Sequence, residues 1–195
     1  MRNIYIILIL IFSFTIFSCA KKDESSSTTS TTELEGATEL EGAWVSSCHS
    51  KWSSYWIKTW TFTGSALVVK WDEHSDSSCA TDYAIWTDTY SSFSIGNEAT
   101  LDNGSTGRKF TMKVDSLEGL MQTAAAVTYY NNYVRCGDSD WALNTTKNYT
   151  GKTCGSTDYA AANTNIYGVY KLDGSSLLIN TDNITSVGST VFTKQ

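Results

Sequence analysis

From Trp44 onward the chain consists mainly of short stretches in which apolar and polar residues alternate. These stretches run over 55–62, 66–71, 83–90, 108–114, 166–172 and 176–180. In the first of them, Trp56, Trp60 and Phe62 fall on one face. Because successive side chains of a strand point to opposite faces, a period of two predicts strands. The 13% of aromatic residues favours strands as well.

Turn residues separate these stretches, and they do so without proline, which the chain lacks. Thr63-Gly64, Gly96-Asn97, Asp102-Asn103-Gly104 and Asp173-Gly174 are typical of tight turns. Val191 to Thr193 is a candidate closing strand. Short strands joined by turns at this spacing predict an all-β, mainly antiparallel barrel or sandwich.

One stretch departs from the strand pattern. Between Leu117 and Thr128 the apolar residues recur at helical spacing, which predicts a short helix that could cover one end of a barrel. Residues 135–164 carry little periodicity, and we expect them to be mostly irregular.

The segment Leu40-Glu41-Gly42-Ala43-Trp44 resembles the Gly-x-Trp signature that opens the first strand of lipocalins and related calycin barrels. The resemblance implies an up-and-down barrel of about eight strands, with Trp44 closing its base and one small apolar ligand inside. Eight strands enclose just enough space for side chains or one small ligand. The alternative is an ordinary tryptophan in the first strand of another β-domain.

A second resemblance extends over most of residues 40–194. The spacing Gly42-x-Trp44-x₃-Cys48, the later Asp76-x₂-Cys79, the segment 136–144 and Thr150-Gly151-Lys152 are similar to a group of secreted and lipid-anchored β-domains. That group includes animal Wnt antagonists and many uncharacterised bacterial lipoproteins. The resemblance implies no assigned activity.

The N-terminus predicts export and lipid anchoring. Arg2 precedes an apolar run of 14 residues from Ile4 to Phe17, and Ser18 then precedes Cys19. Spanning a bilayer takes about 20 apolar residues, so the run fits a secretory signal better than a transmembrane helix. Ile16-Phe17-Ser18-Cys19 resembles the lipobox of bacterial lipoproteins, which implies cleavage before Cys19 and acyl chains, palmitate among them, on that cysteine. An ordinary signal peptide is the alternative.

We therefore predict three segments: a lipoprotein signal peptide over 1–18, a lipidated Cys19 followed by a flexible Ser/Thr-rich tether over 19–39, and a β-barrel domain over 40–195. Several acyl chains anchor a protein stably where one does not. Ala20 resembles the residue that directs lipoproteins to the outer membrane. We expect a monomeric cell-envelope protein that is held to the outer membrane by its N-terminal lipid.

Four cysteines remain after Cys19, namely Cys48, Cys79, Cys136 and Cys154, and they allow three pairings. Because the cell envelope is oxidising, we expect disulfides, and we favour Cys48–Cys79 and Cys136–Cys154. A zinc site built from Cys48-His49 and His74-x₄-Cys79 is the alternative. Neighbouring residues of a strand point to opposite faces, which counts against that site, and we predict no metal.

Charge and motifs narrow the function classes. The chain has 14 basic and 20 acidic residues without basic clusters, which argues against nucleic-acid binding. We interpret two acidic groups, 72–76 and 138–140, as solvated loop charges, because neither matches a calcium loop. The sequence holds none of the common hydrolase, metalloprotease or phosphate-binding motifs and only two histidines. We predict a non-enzymatic protein without a cofactor.

The function predicted from the sequence is the binding of a small hydrophobic ligand or envelope component inside the barrel. The candidate ligand-binding residues are the aromatic side chains Trp56, Trp60, Trp71, Trp86 and Phe110. The alternative is a non-enzymatic surface module with a filled core that recognises proteins or glycans.

Overall fold

Strands account for most of the regular structure in the computed structural model, which describes residues 39–51 and 53–195. In that part of the chain the strands are β1 (Gly42–Ser46), β2 (His49–Lys51), β3 (Ser54–Thr63), β4 (Ala66–His74), β5 (Asp82–Thr100), β6 (Thr106–Met121), β7 (Thr146–Asn148), β8 (Thr153–Cys154), β9 (Thr157–Asp158), β10 (Asn165–Asp173), β11 (Ser176–Asn180) and β12 (Val191–Lys194). The helix α1 covers Ala124–Asn132, and a 3₁₀ turn covers Arg135–Gly137. The predicted signal peptide, Cys19 and the tether up to residue 38 lie outside the described residues.

Eight of these strands close into an antiparallel up-and-down barrel. The order around the barrel is β1, β3, β4, β5, β6, β10, β11 and β12. Trp44 of β1 pairs with Trp60 of β3 on one side and with Lys194 of β12 on the other, which closes the sheet. The structure thus confirms the predicted all-β barrel and the closing strand near Val191, and it is consistent with a calycin-like fold.

Three hairpins mark one end of the barrel, which we call the base. They join β3 to β4, β5 to β6, and β10 to β11. Three of the predicted turns, Thr63-Gly64, Asp102-Asn103-Gly104 and Asp173-Gly174, lie in these hairpins, as expected. The Nε1 of Trp44 donates a hydrogen bond of 2.8 Å to the carbonyl oxygen of Leu40, so both buried side chains close this end.

The interior above the base is packed with buried side chains, which we call the base core. The ring of Phe93 meets that of Phe62 edge to face and lies tilted against that of Phe110, with ring centroids 5.1 and 5.5 Å apart. Gly168 pairs with Phe110 across β10 and β6. A Cβ atom at Gly168 would lie only 2.2 Å from Cζ of Phe110 and 2.5 Å from a backbone oxygen. Only glycine therefore lets the Phe110 ring lie across β10.

The opposite end of the barrel is covered by residues 122–164, which we call the cap. Thr123 begins helix α1, because its side chain accepts a hydrogen bond of 3.1 Å from the amide of Ala126. The Cys136–Cys154 disulfide ties the cap together, and Cys48–Cys79 joins the loop after β4 to the segment between β1 and β2. Both favoured pairings are confirmed. None of the described helices is long and apolar enough to cross a membrane.

The structure corrects two local predictions. The helix begins at Ala124 rather than Leu117, because Leu117–Met121 completes strand β6. The predicted turn at Gly96-Asn97 is absent from β5, which continues to Thr100. The register of β5 and β6 shifts between Ile95 and Glu98, so a bulge takes up these residues. Residues 135–164 contain the short strands β7, β8 and β9 within otherwise irregular structure.

Candidate functional site

The upper half of the barrel interior differs chemically from the base core. Alternation along β3, β4 and β5 turns Lys58, Trp71 and Asp88 toward the barrel axis, on the same faces as buried apolar residues. In contrast to the fully buried base core, these three inward side chains are only half-buried. Solvent therefore reaches these three side chains, and we call the part of the barrel interior around them the upper chamber.

Lys58 is the central group of the upper chamber. Its Nζ lies 3.7 Å from the ring centroid of Trp71 and 4.3 Å from that of Trp60. The Nζ of Lys51 lies over the same Trp71 ring, at 4.8 Å. Burial lowers the pKa of Lys58 to about 7; the charge of Asp88 opposes this shift, and that of Lys51 adds to it.

Asp88 accepts hydrogen bonds from two aromatic side chains. The hydroxyl of Tyr149, in the cap, donates to its Oδ1 at 2.9 Å, and Nε1 of Trp71 donates to its Oδ2 at 3.3 Å. Burial nevertheless raises the pKa of Asp88 above its usual range, against these hydrogen bonds and the charge of Lys58. The Trp71 indole thus contacts the amine on its face and the carboxyl group through its N–H.

A second buried carboxylate holds the cap on the barrel. Glu73 is only 4% exposed. It accepts hydrogen bonds from Ser54 at 2.8 Å, from Nε1 of Trp86 at 3.2 Å and from the hydroxyl of Tyr130 at 3.0 Å. Our interpretation of Glu73 as a solvated loop charge is therefore wrong, because β4 extends to His74 and turns Glu73 inward.

The cap packs its own aromatic rings against Trp86. The rings of Tyr130, Trp141 and Tyr149 have centroids 5.3, 5.9 and 5.3 Å from that of Trp86. Gly119 makes room for this cluster, since a Cβ there would lie 2.8 Å from the Trp86 ring. The cap therefore fills the β5–β6 side of the upper barrel, and the upper chamber is left on the β3–β4 side.

All five predicted ligand-binding residues lie inside the barrel, but at two levels. Trp60 and Phe110 belong to the sealed base core. Trp56, Trp71 and Trp86 lie in the upper half, where Trp71 and Trp86 remain half-buried. Trp56 is buried, so of the five only Trp71 and Trp86 are placed where a ligand could reach them from solvent.

Sequence reasoning missed the polar groups of the upper chamber. Lys58 lies between Trp56 and Trp60 at the strand period, which places a charge on the apolar face of β3. Asp88 lies two residues after Trp86 on β5, so it also places a charge on an inward face. A charge at an inward position of an alternating strand is the signal that marks both residues.

The zinc alternative is contradicted, because Cys48 and Cys79 form a disulfide. Among the described residues, no three His, Cys, Asp or Glu side chains converge as metal ligands would. His74, the last residue of β4, is only 6% exposed. Its Nδ1 is 3.5 Å from Asp82.

Shallow depressions and an apolar patch lie on the described part of the exterior. The depressions have volumes of 250 Å³ beside Lys70 and Glu118, and 190 Å³ beside Arg108. The patch, which we call the cap patch, includes Tyr133 and Val134, which are 68% and 51% exposed. The Tyr129 and Tyr133 rings at its centre lie 4.7 Å apart.

No protein-family model matches the chain, and neither does any curated protein.

Proposed function

We propose that the protein is a non-enzymatic, lipid-anchored component of the bacterial cell envelope whose barrel binds a small, largely hydrophobic ligand in the upper chamber. One observation carries the ligand-binding proposal: inward-facing aromatic and charged side chains of β3, β4 and β5 stay half-buried while the base core is sealed. A few polar groups among aromatic walls are typical of small-molecule sites. The sealed base limits the ligand to a small molecule.

The anchoring proposal depends on the sequence around Cys19, and the start of the described chain is compatible with it. Glu41 accepts a hydrogen bond of 3.1 Å from the amide of Gly64, in the base hairpin between β3 and β4. Glu39 pairs with Arg108 at 3.4 Å and accepts a hydrogen bond from Tyr170. The chain thus enters the domain at the base, at the end opposite the upper chamber. An anchor upstream would hold the domain by its base and leave the chamber accessible.

A second function has its own supporting observation. The cap patch exposes the rings of Tyr129 and Tyr133 beside Val134, which is 51% exposed. Contiguous exposed apolar groups often mark protein-interaction sites, and tyrosine is enriched there. The alternative proposal is a surface module that recognises a protein or glycan through its cap.

Native mass spectrometry of the full chain, isolated from cells that produce it, tests the first proposal. We expect a bound species of a few hundred daltons that is lost on denaturation. The protein's mass after denaturation also tests the anchor, because acylation at Cys19 and removal of residues 1–18 both change it. A chain that retains no small molecule would favour the alternative function.

A further inference from the structure

The Lys58 ammonium lacks a hydrogen-bonding partner of its own within the described part of the chain. No acceptor there lies within hydrogen-bonding distance of its Nζ, and no carboxylate lies within 4.0 Å. Its neighbours are the faces of Trp71 and Trp60. Aromatic faces attract a cation, but they do not replace the hydrogen bonds that the three N–H groups of an ammonium make in water.

The two nearby carboxyl groups do not supply that partner. Asp88 already accepts from Tyr149 and from Trp71, and its burial favours the protonated form. Asp182 is exposed in the loop after β11 and acts on Lys58 only through its charge. Lys51 adds a second positive charge on the same indole. The upper chamber therefore places two amines around one ring without a carboxylate in contact with Lys58.

Such an arrangement opposes folding, because a partly desolvated ammonium gives up hydration without regaining hydrogen bonds. A residue of this kind marks a candidate functional site when it also lies in a solvent-reached cleft. An acceptor that arrives with a ligand would provide the missing hydrogen bonds.

We infer that the upper chamber binds a small amphiphile whose anionic head group contacts Lys58 and whose apolar body lies against Trp71 and the neighbouring rings. This inference rests on the proposed ligand-binding function and specifies the class of ligand. A monoanionic carboxylate fits better than a phosphate dianion, because the negative charge of Asp182 would repel a second negative charge. The sealed base core excludes a long acyl chain, so a short one is expected.

Octanoate and octan-1-ol provide a matched pair of probes, since they share a chain length and differ in the charge of the head group. Their affinities for the full-length protein are measured by isothermal titration calorimetry and by tryptophan fluorescence. The variants are Lys58→Met, Lys58→Arg and Lys109→Met. Lys109 is exposed on the outer face of β6 and serves as the control for the loss of a lysine charge.

We expect the wild type to bind octanoate more tightly than octan-1-ol. A hydrogen bond to a charged group contributes about 1.5–3 kcal/mol, so Lys58→Met should weaken octanoate binding by at least about tenfold. Octan-1-ol binding should change little in that variant. Lys58→Arg and Lys109→Met should keep the preference for octanoate, and circular dichroism verifies that each variant is folded.

Three results would overturn the inference in distinguishable ways. Equal binding of both probes, unchanged in Lys58→Met, would leave the ligand-binding function standing and refute the anionic head group. Binding of neither probe by the wild type would refute both the inference and the proposed binding of small amphiphiles. Equal weakening in Lys58→Met and Lys109→Met would assign the effect to overall charge, which also refutes a contact at Lys58.

Discussion

Replacing Lys58 with methionine should stabilise the unliganded protein, and the gain should depend on pH. The pKa of Lys58 falls from 10.5 to about 7 in the folded chain because of burial. At 1.36 kcal/mol per unit, that shift corresponds to an upper limit of about 5 kcal/mol. Solvent reaches the half-buried side chain, and methionine gives up the contact of the cation with Trp71, so we expect a gain of about 2 kcal/mol at pH 6.

The pH dependence follows from where the proton is bound. Below pH 7 Lys58 is charged in the folded and unfolded states, so the full cost of burying the charge is present. Between about pH 7 and 10.5 the unfolded chain keeps the proton that the folded chain has lost, so wild-type stability rises with pH. The advantage of Lys58→Met should therefore shrink by about 0.5 kcal/mol per pH unit between pH 7 and 9, after the same allowance for solvent.

Urea unfolding at pH 6, 7.5 and 9, followed by tryptophan fluorescence, measures this difference in the free energy of unfolding. Lys109→Met is the control, because that side chain is exposed on the barrel exterior. We expect the control to show little change at any of the three pH values. A Lys58→Met protein that is less stable than wild type by the same amount at every pH would refute the reasoning, since it would mean that the ammonium stabilises the fold.

Three further substitutions test the packing of the barrel and its cap. Tyr130→Phe removes one hydrogen bond to a buried carboxylate and should destabilise the protein by about 1.5–3 kcal/mol in urea unfolding, whereas Tyr133→Phe, at an exposed position, should change little. Gly168→Ala should lower the free energy of unfolding by about 1–3 kcal/mol, because its methyl group meets the Phe110 ring; an unchanged melting curve would contradict the close approach. Replacing both cysteines of the Cys48–Cys79 disulfide with serine should cost about 3–4 kcal/mol for a sequence separation of 31, and an unchanged unfolding midpoint would argue against the bond.

The strand pattern predicted the barrel wall because its alternation is regular. The inward positions of β3 and β4, such as Trp60 and Leu67, follow a strict period of two, and one buried face per strand fixes the register. The choice between barrel and sandwich depended on the pairing of β1 with β12, which are far apart in the sequence. Such a long-range pairing leaves no local signal, and only the resemblance at Gly42-Ala43-Trp44 indicated it.

The misplaced helix has a specific physical cause in strand β6. The register of β5 and β6 shifts next to Tyr90, where Ser116 and Val114 pair with neighbouring residues of β5 and Asp115 is left over. The buried side chains of β6 therefore continue at Leu117 instead of keeping the earlier alternation. From there the inward positions are Leu117, Gly119 and Met121, and the inward glycine together with the outward Leu120 makes the apolar residues recur at helical spacing.

Only the aromatic residues of the candidate site were predictable from the sequence. The alternation of apolar and polar residues identifies the apolar wall of the barrel, but it assigns charged residues to the exterior. Trp71 was predicted to bind a ligand because of its aromatic ring, whereas Lys58, which contacts that ring, was not predicted. The contact of Asp88 with Tyr149 joins residues 61 positions apart, through a cap that has little sequence periodicity. Tertiary contacts of this kind do not follow from the local sequence.

The indole N–H resonances of the tryptophans provide the most direct test of ligand binding in the upper chamber. In an NMR titration of the full-length protein with octanoate, we predict that the Trp71 resonance shifts, because its N–H bonds to Asp88 inside the chamber. The Trp44 resonance should stay in place, because its N–H bonds to Leu40 at the sealed base. A titration in which Trp71 does not move, or in which Trp44 moves as far as Trp71, would contradict the account.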